Sequence, residues 1–192
     1  MRIIRGRFKG LALTSVGKGD ASAHLRPTTD RVRESLFSIL EGGRFGAPIE
    51  AAVVLDLFAG TGALGLEALS RGASQVTFVE NGRTALKLLT ANIEKTRSQQ
   101  ETTILRQDAT RLGPCPDVPA TLVFLDPPYG TEKGALALTK ALEGGWASAG
   151  ALVVWEEARE MVAPKGFVKL EARRFGQTWL TFLRVGDNTS NR

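Results

Sequence analysis

Apolar positions along the chain change their spacing near residue 50, and the change separates two kinds of segment. Before it, Val32, Leu36, Ile39 and Leu40 recur at helical spacing behind Pro27-Thr28-Thr29-Asp30, whose side chains suit a helix start, so the pattern predicts an amphipathic helix over residues 30–41. Beyond it, apolar runs of buried-strand length fall at residues 51–57, 76–79, 102–105, 121–125 and 151–155, with helical stretches between several of them. Such alternation predicts an α/β fold, a parallel sheet covered by helices on both faces. Two further runs, 168–173 and 179–184, flank Phe175-Gly176-Gln177 and predict a terminal β-hairpin. At the other end Arg5-Gly6-Arg7-Phe8-Lys9 alternates, which predicts an extended ribbon with Arg5, Arg7 and Lys9 on one face.

Gly42, Gly43, Gly46 and Pro48 interrupt both periods and read as a linker. The expected organisation is therefore a basic arm over residues 1–45, a body over 46–186 and a frayed tail over 187–192. A length of 192 residues suits one domain with an extension. No apolar run reaches the roughly 20 residues of a membrane span, and the N-terminus lacks a secretory signal's apolar stretch. Cys115 is the lone cysteine, so neither an intrachain disulfide nor a cysteine zinc cluster is available; no metal is expected, and a reducing cytoplasm is the expected location.

Charge sharpens the division. Residues 1–45 carry nine basic side chains against four acidic ones, which accounts for the whole net charge of +5. A neutral body with a basic N-terminal quarter suggests a polyanion-binding surface, because phosphate contacts supply most sequence-independent affinity for nucleic acid. On a helical wheel Arg33 falls at the edge of the apolar face beside Phe37 and Leu40, where it could face a site or simply snorkel at a packing edge.

The first body strand leads into Asp56-Leu57-Phe58-Ala59-Gly60-Thr61-Gly62-Ala63-Leu64-Gly65. Gly60, Gly62 and Gly65 match the dinucleotide fingerprint, and Glu80, at the end of the second strand, could accept hydrogen bonds from ribose hydroxyls. NAD is therefore permitted. Two acids favour S-adenosylmethionine instead: Asp56 would repel a pyrophosphate but suits a cationic ammonium, and Asp108, after the third strand, could accept from an adenine amino group. Candidate cofactor residues are Asp56, Phe58, Gly60, Thr61, Gly62, Glu80, Asn81, Asp108 and Ala109. Helix capping for Asp56 and a turn for Asp108 are the structural alternatives.

The fourth strand runs into Asp126-Pro127-Pro128-Tyr129-Gly130, the strongest signal in the chain. Two prolines fix φ and remove two backbone donors, so the loop offers acceptors in a stiff geometry. An aromatic amine there can donate to the Asp126 carboxylate and the Pro127 carbonyl while Tyr129 stacks on the base. Asp126, Pro127 and Tyr129 are the candidate catalytic residues for methylation of an exocyclic amine. His24, the lone histidine, sits in a loop and is left out of the site.

These motifs, together with Arg2-Ile3-Ile4-Arg5-Gly6 and Arg26-Pro27-Thr28-Thr29-Asp30-Arg31-Val32-Arg33-Glu34, resemble the bacterial small-subunit (16S) ribosomal RNA guanine-N2 methyltransferases of the RsmD family. The resemblance implies the class I S-adenosylmethionine-dependent (Rossmann-like) methyltransferase fold, a seven-stranded, mostly parallel sheet with an antiparallel last strand. It implies guanine N2 of 16S rRNA as target, within an assembling 30S subunit with ribosomal proteins, and a monomeric enzyme. Arg5, Arg7, Lys9, Arg26 and Arg33 are the expected RNA contacts. Family members often carry an acid two residues beyond the Glu80 position, where this chain has Gly82. A DNA adenine-N6 methyltransferase, an NAD dehydrogenase and a non-catalytic RNA-binding module remain the rivals.

Overall fold

The computed structural model describes residues 1–15 and 30–186. Helix α1 (Asp30–Glu41) precedes β1 (Val53–Leu57), α2 (Ala63–Ser70), β2 (Gln75–Val79), α3 (Arg83–Thr96), β3 (Thr102–Leu105), β4 (Ala120–Leu125), α4 (Lys133–Glu143), β5 (Ala147–Glu157), β6 (Phe167–Phe175) and β7 (Thr178–Val185). The seven strands form one sheet in the order β3-β2-β1-β4-β5-β7-β6. β1 to β5 pair in parallel, and β7 runs antiparallel to both β5 and β6. The last strand is thus inserted beside β5, and β6 is left at the edge. This is the expected α/β sheet with its hairpin.

Each strand alternates between two cores, as the two-residue period requires. Val54, Val76, Phe78, Leu122, Phe124, Val154 and Phe182 pack with α1, α2 and α3 on one face. Leu55, Leu57, Val123, Leu125, Trp155 and Leu183 pack with α4 on the other. Leu36, Phe37 and Leu40 seat α1 fully buried, with the Phe37 and Phe124 rings 5.8 Å apart. Each such side chain contributes about 1.5–3 kcal/mol by leaving water. β5 extends well beyond its apolar run, because Ala147-Ser148-Ala149-Gly150 is small and part-exposed yet still carries the pairing of Ala120 with Ala147. Among the described residues no helix is long and apolar enough to cross a membrane.

Residues 1–13 do not form the expected ribbon. They close a short loop, with a single bridge between Arg2 and Ala12 and turns in which Lys9 N–H donates to Gly6 C=O and Leu11 N–H to Phe8 C=O. Gly6, at φ +84°, makes the reversal, and its amide-to-carbon face lies so close to Ser70 that an added Cβ would overlap the Ser70 carbonyl. The loop is pinned to the C-terminal end of α2: Arg7 N–H donates to Ser70 C=O, and Phe8 N–H to Ser70 Oγ. Ile3 and Leu13 join the α1–α3 core. Arg26, His24, the Pro27-Thr28-Thr29 helix start and the 187–192 tail lie outside the described residues.

Candidate active site

Register places the site. Leu57 pairs with both Val79 and Leu125, Val79 with Leu105, and Leu125 with Trp155. One row of residues therefore crosses the sheet at its carboxyl edge, and the chain leaves that row at Phe58, Glu80, Arg106, Asp126 and Glu156. Ligands of open α/β sheets bind outside this edge.

The glycine loop folds back tightly because Phe58, Gly60 and Gly62 all adopt left-handed backbone, at φ +61°, +56° and +79°. Ala59 N–H donates to Val79 C=O, and Gly62 N–H to Ala59 C=O. Gly65 serves packing: a Cβ there would lie 2.4 Å from Phe78. Thr61 is buried, and its carbonyl accepts from the buried Asn92 amide, which also exchanges two hydrogen bonds with the Thr14 backbone.

Asp56 points to the helix face and is 2% exposed. Its Oδ2 accepts the Gly65 N–H at 2.9 Å, so a strand carboxyl caps the first turn of α2, which has no side-chain cap of its own. Burial, outweighing that hydrogen bond, pushes its pKa up to about 8, and Glu80 adds to the rise. Glu80 accepts Gly60 N–H at 2.8 Å on one oxygen, and Asn81 and Gly82 N–H at 2.8 and 2.6 Å on the other. A carboxylate offers about four acceptor sites, so room for a hydroxyl remains. Asp108 caps the short 3-10 turn Ala109–Arg111, accepting both the backbone N–H and the hydroxyl of Thr110. Those bonds hold its pKa below the usual value, helped by Lys133 and Arg111. The capping and turn roles of Asp56 and Asp108 are both realised, at the edge where the cofactor reading needs these acids.

The Asp126 loop leaves β4 beside the glycine loop, with Asp126 N–H directed at Leu57 C=O, 3.4 Å away. Asp126 is part-exposed, Pro127 buried, Pro128 exposed and Tyr129 half-buried. The Tyr129 hydroxyl donates to Glu156 Oε1 at 2.9 Å and lies 3.4 Å from Thr178 Oγ1. Burial, then the Glu156 charge, raises the Tyr129 pKa above its ordinary value. Gly130 N–H, the first backbone donor past Tyr129, reaches Glu157 at 3.1 and 3.3 Å. Glu156 and Glu157 are both buried at the end of β5, and the sequence reading missed them. Their signal was available: acids ending an apolar strand, the same feature that marks Asp126.

The expected RNA contacts are elsewhere. Arg5, Arg7 and Lys9 sit near the C-terminal end of α2, about 12 Å of helix away from the glycine loop. Arg5 pairs with Glu41 at 2.8 Å and Arg7 with Glu101 at 2.6 Å. A depression of about 520 Å³ there is lined by Arg5, Arg7, Glu41, Ser70 and Arg71, and by none of the candidate cofactor residues. Arg33 is completely buried, paired with Asp30 at 3.0 Å and with Glu67 at 3.7 Å, and donates to Arg2 C=O. It has no surface to offer RNA; the acid on α2 draws the guanidinium inward from the helix edge.

The seven-stranded sheet and the residues along its carboxyl edge define the class I methyltransferase fold. A family model described as Conserved hypothetical protein 95 matches residues 1–184, and the chain belongs to that family, the RsmD family. It is 34% identical to "Ribosomal RNA small subunit methyltransferase D" of Haemophilus influenzae over 92% of this chain and 89% of that protein. The Escherichia coli protein of the same name is 38% identical over 85% of this chain and 78% of its own. Among solved structures, the Escherichia coli candidate methyltransferase yhhF superposes with a TM-score of 0.79 at 32% identity, covering 97% of this chain and 98% of that one.

Proposed function

We propose that this protein transfers a methyl group from S-adenosylmethionine to the N2 amine of a guanine in 16S rRNA, acting as a monomer on an assembling small subunit in the cytoplasm. The observation that carries the reading is the Asp126-Pro127-Pro128-Tyr129 loop, held next to the glycine loop at the carboxyl edge of the sheet. The names of the relatives from Haemophilus influenzae and Escherichia coli support ribosomal RNA as the substrate class.

The residues present fit the cofactor. Asp56 is a buried carboxyl that desolvation keeps protonated up to about pH 8; a methionine ammonium beside it would favour its ionised form, whereas a pyrophosphate would oppose it. Glu80 and Asn81 would hold the ribose, Phe58, Gly60, Thr61 and Gly62 the methionine side, and Asp108 with Ala109 the adenine. S-adenosylmethionine, when bound, supplies a methyl group activated on a sulfonium. The chain's own task is then alignment and electrostatics. The Asp126 carboxylate and the Pro127 carbonyl accept the two N–H bonds of the amine, orient its lone pair and stabilise the developing positive charge. Tyr129 stacks on the base. The proton lost afterwards passes to Asp126 or to water.

Residues 1–45 serve as the RNA-facing part of the molecule in this reading. Arg5, Arg7 and Lys9 would contact phosphates remote from the target base, Arg26 would add to them, and Arg33 would act through the fold alone.

Methyl transfer from labelled cofactor to small-subunit particles, free ribosomal RNA and duplex DNA tests the assignment. Label at guanine N2 of ribosomal RNA is expected. Label confined to DNA adenine would overturn it in favour of the adenine-N6 reading. Calorimetric titration should show binding of S-adenosylhomocysteine and none of NAD.

A further inference from the structure

We propose that Glu156 is a positioning residue for the target base, holding the Tyr129 ring in its stacking orientation through the phenol hydroxyl, with the β6–β7 hairpin closing the clamp at Thr178. The inference rests on reading the Asp126–Tyr129 loop as the site of the amine.

The argument starts from the strand period. Val154 faces the α1–α3 core and Trp155 the α4 core, so Glu156 and Glu157 continue β5 onto opposite faces of the sheet. Both are buried and both turn to the same loop. Glu157 takes the backbone, through Gly130 N–H, and also accepts Ala158 N–H at 2.7 Å. Glu156 takes the side chain, through the Tyr129 hydroxyl at 2.9 Å. The prolines make this division necessary. Positions 127 and 128 have no N–H, so the two residues before Tyr129 offer no backbone donor to anchor it. A half-buried tyrosine swings about two side-chain torsions; a hydrogen bond from its far end to a buried charged acceptor fixes the first and, because the phenol O–H prefers the ring plane, biases the second.

The hairpin completes the arrangement. Glu156 pairs with Leu180 and Glu157 with Trp179 across β5 and β7, which brings Thr178, at the start of β7, beside the Tyr129 hydroxyl. A terminal element that sequence reading treats as architecture therefore forms the outer wall of the base site. The rise in the Tyr129 pKa, caused by burial and then by the Glu156 charge, is what such a contact requires.

Tyr129 is the sole tyrosine of the chain, so spectrophotometric titration of phenol ionisation reads this position alone. In wild type it should titrate above the free-tyrosine range, and Glu156→Gln should bring it down toward that range. On ribosomal RNA, Glu156→Ala and Tyr129→Phe should each lower kcat about ten-fold, with KM for RNA moved less and S-adenosylhomocysteine affinity unchanged. The double variant should lose no more than either single one, because both remove the same contact. Glu156→Gln, which keeps an acceptor, should recover most of kcat. A fold-supporting role alone would lower the melting temperature and leave kcat intact below it. Additive losses, wild-type kcat in both single variants, or an unmoved Tyr129 titration in Glu156→Gln would each overturn the proposal. Should Glu156→Ala fail to fold, Tyr129→Phe and Glu156→Gln decide it. Asp126→Ala separates the two readings: transfer abolished there, with Tyr129→Phe unaffected, sinks this inference only, whereas full transfer by Asp126→Ala sinks the site assignment beneath it.

Discussion

Among the described residues, carboxylates at both ends of the sheet accept backbone N–H groups, but only those at the amino end also gather buried arginines. At the carboxyl edge Asp56, Glu80, Asp108 and Glu157 accept backbone N–H groups and shape loops. At the amino end Glu67, fully buried in α2, accepts Ile4 and Arg5 N–H and pairs with Arg71 at 2.7 Å and Arg33 at 3.7 Å. Glu41 then ties Arg71 to Arg5. The first end leaves Asp126 and Tyr129 reachable by a ligand; the second spends cations on the fold. Among the described basic residues of the N-terminal quarter, Arg5, Arg7, Arg33 and Arg44 are ion-paired to acids. A count of charges along a sequence is therefore an upper limit on what a surface can present to phosphate.

Breaking each end separately sharpens the contrast. The largest expected effect is at the carboxyl edge, where Asp126→Ala should cost about 10²–10³-fold in kcat while cofactor affinity and melting temperature stay near wild type, as single-turnover kinetics and calorimetry would show. The amino end should respond in the reverse sense. Glu67→Ala leaves Arg33 and Arg71 buried without their shared partner and should cost about 3–5 kcal/mol in urea unfolding. An effect below about 1 kcal/mol would show that the network contributes little.

Asp56 gives the pH-dependent test. Its folded pKa of about 8 exceeds the ordinary 3.8, so between those values the folded protein keeps a proton that the unfolded chain releases. Stability should therefore fall as pH rises from about 4 to about 8 and level off above that. Asp56→Asn, which can still accept the Gly65 N–H, should flatten this slope; an unchanged slope would assign it to other groups. The smallest effect belongs to the surface. Neutralising Arg5, Arg7 and Lys9 should lower the salt slope of RNA binding by at most about 2, at roughly 0.7 per lost phosphate contact, with cofactor binding unaffected. No change would make the N-terminal loop purely structural.

Much of this was legible beforehand, for identifiable reasons. β1, β2 and β4 are short and mostly buried, so apolar runs mark them to within two residues, and the part-exposed edge strand β3 falls where its shorter run predicts. Asp126 was legible because an acid after four consecutive apolar residues has no packing explanation. The N-terminal loop was not, because alternation at residues 5–9 mimics a strand while Gly6 and Gly10, both at φ +84°, reverse the chain. Arg33 was misplaced because a helical wheel shows which face a residue occupies, not what waits there. The clue lay on another helix: Glu67, a charge within the otherwise apolar Ala63–Ser70, needed a cation. Glu156 carried the signal of an acid ending an apolar strand, but its contact with Tyr129 was not legible, because the partner is 27 residues away and only strand pairing brings them together.

Asn92 ties the N-terminal loop to the glycine loop. Its amide holds both Thr14 and the Thr61 carbonyl, so a pull on the first residues is transmitted to the glycine crook through a single side chain. The N-terminal segment cannot be exchanged between relatives as a cassette. A chimaera carrying a foreign segment should loosen the glycine loop unless the recipient's asparagine and the donor's residue 14 are matched.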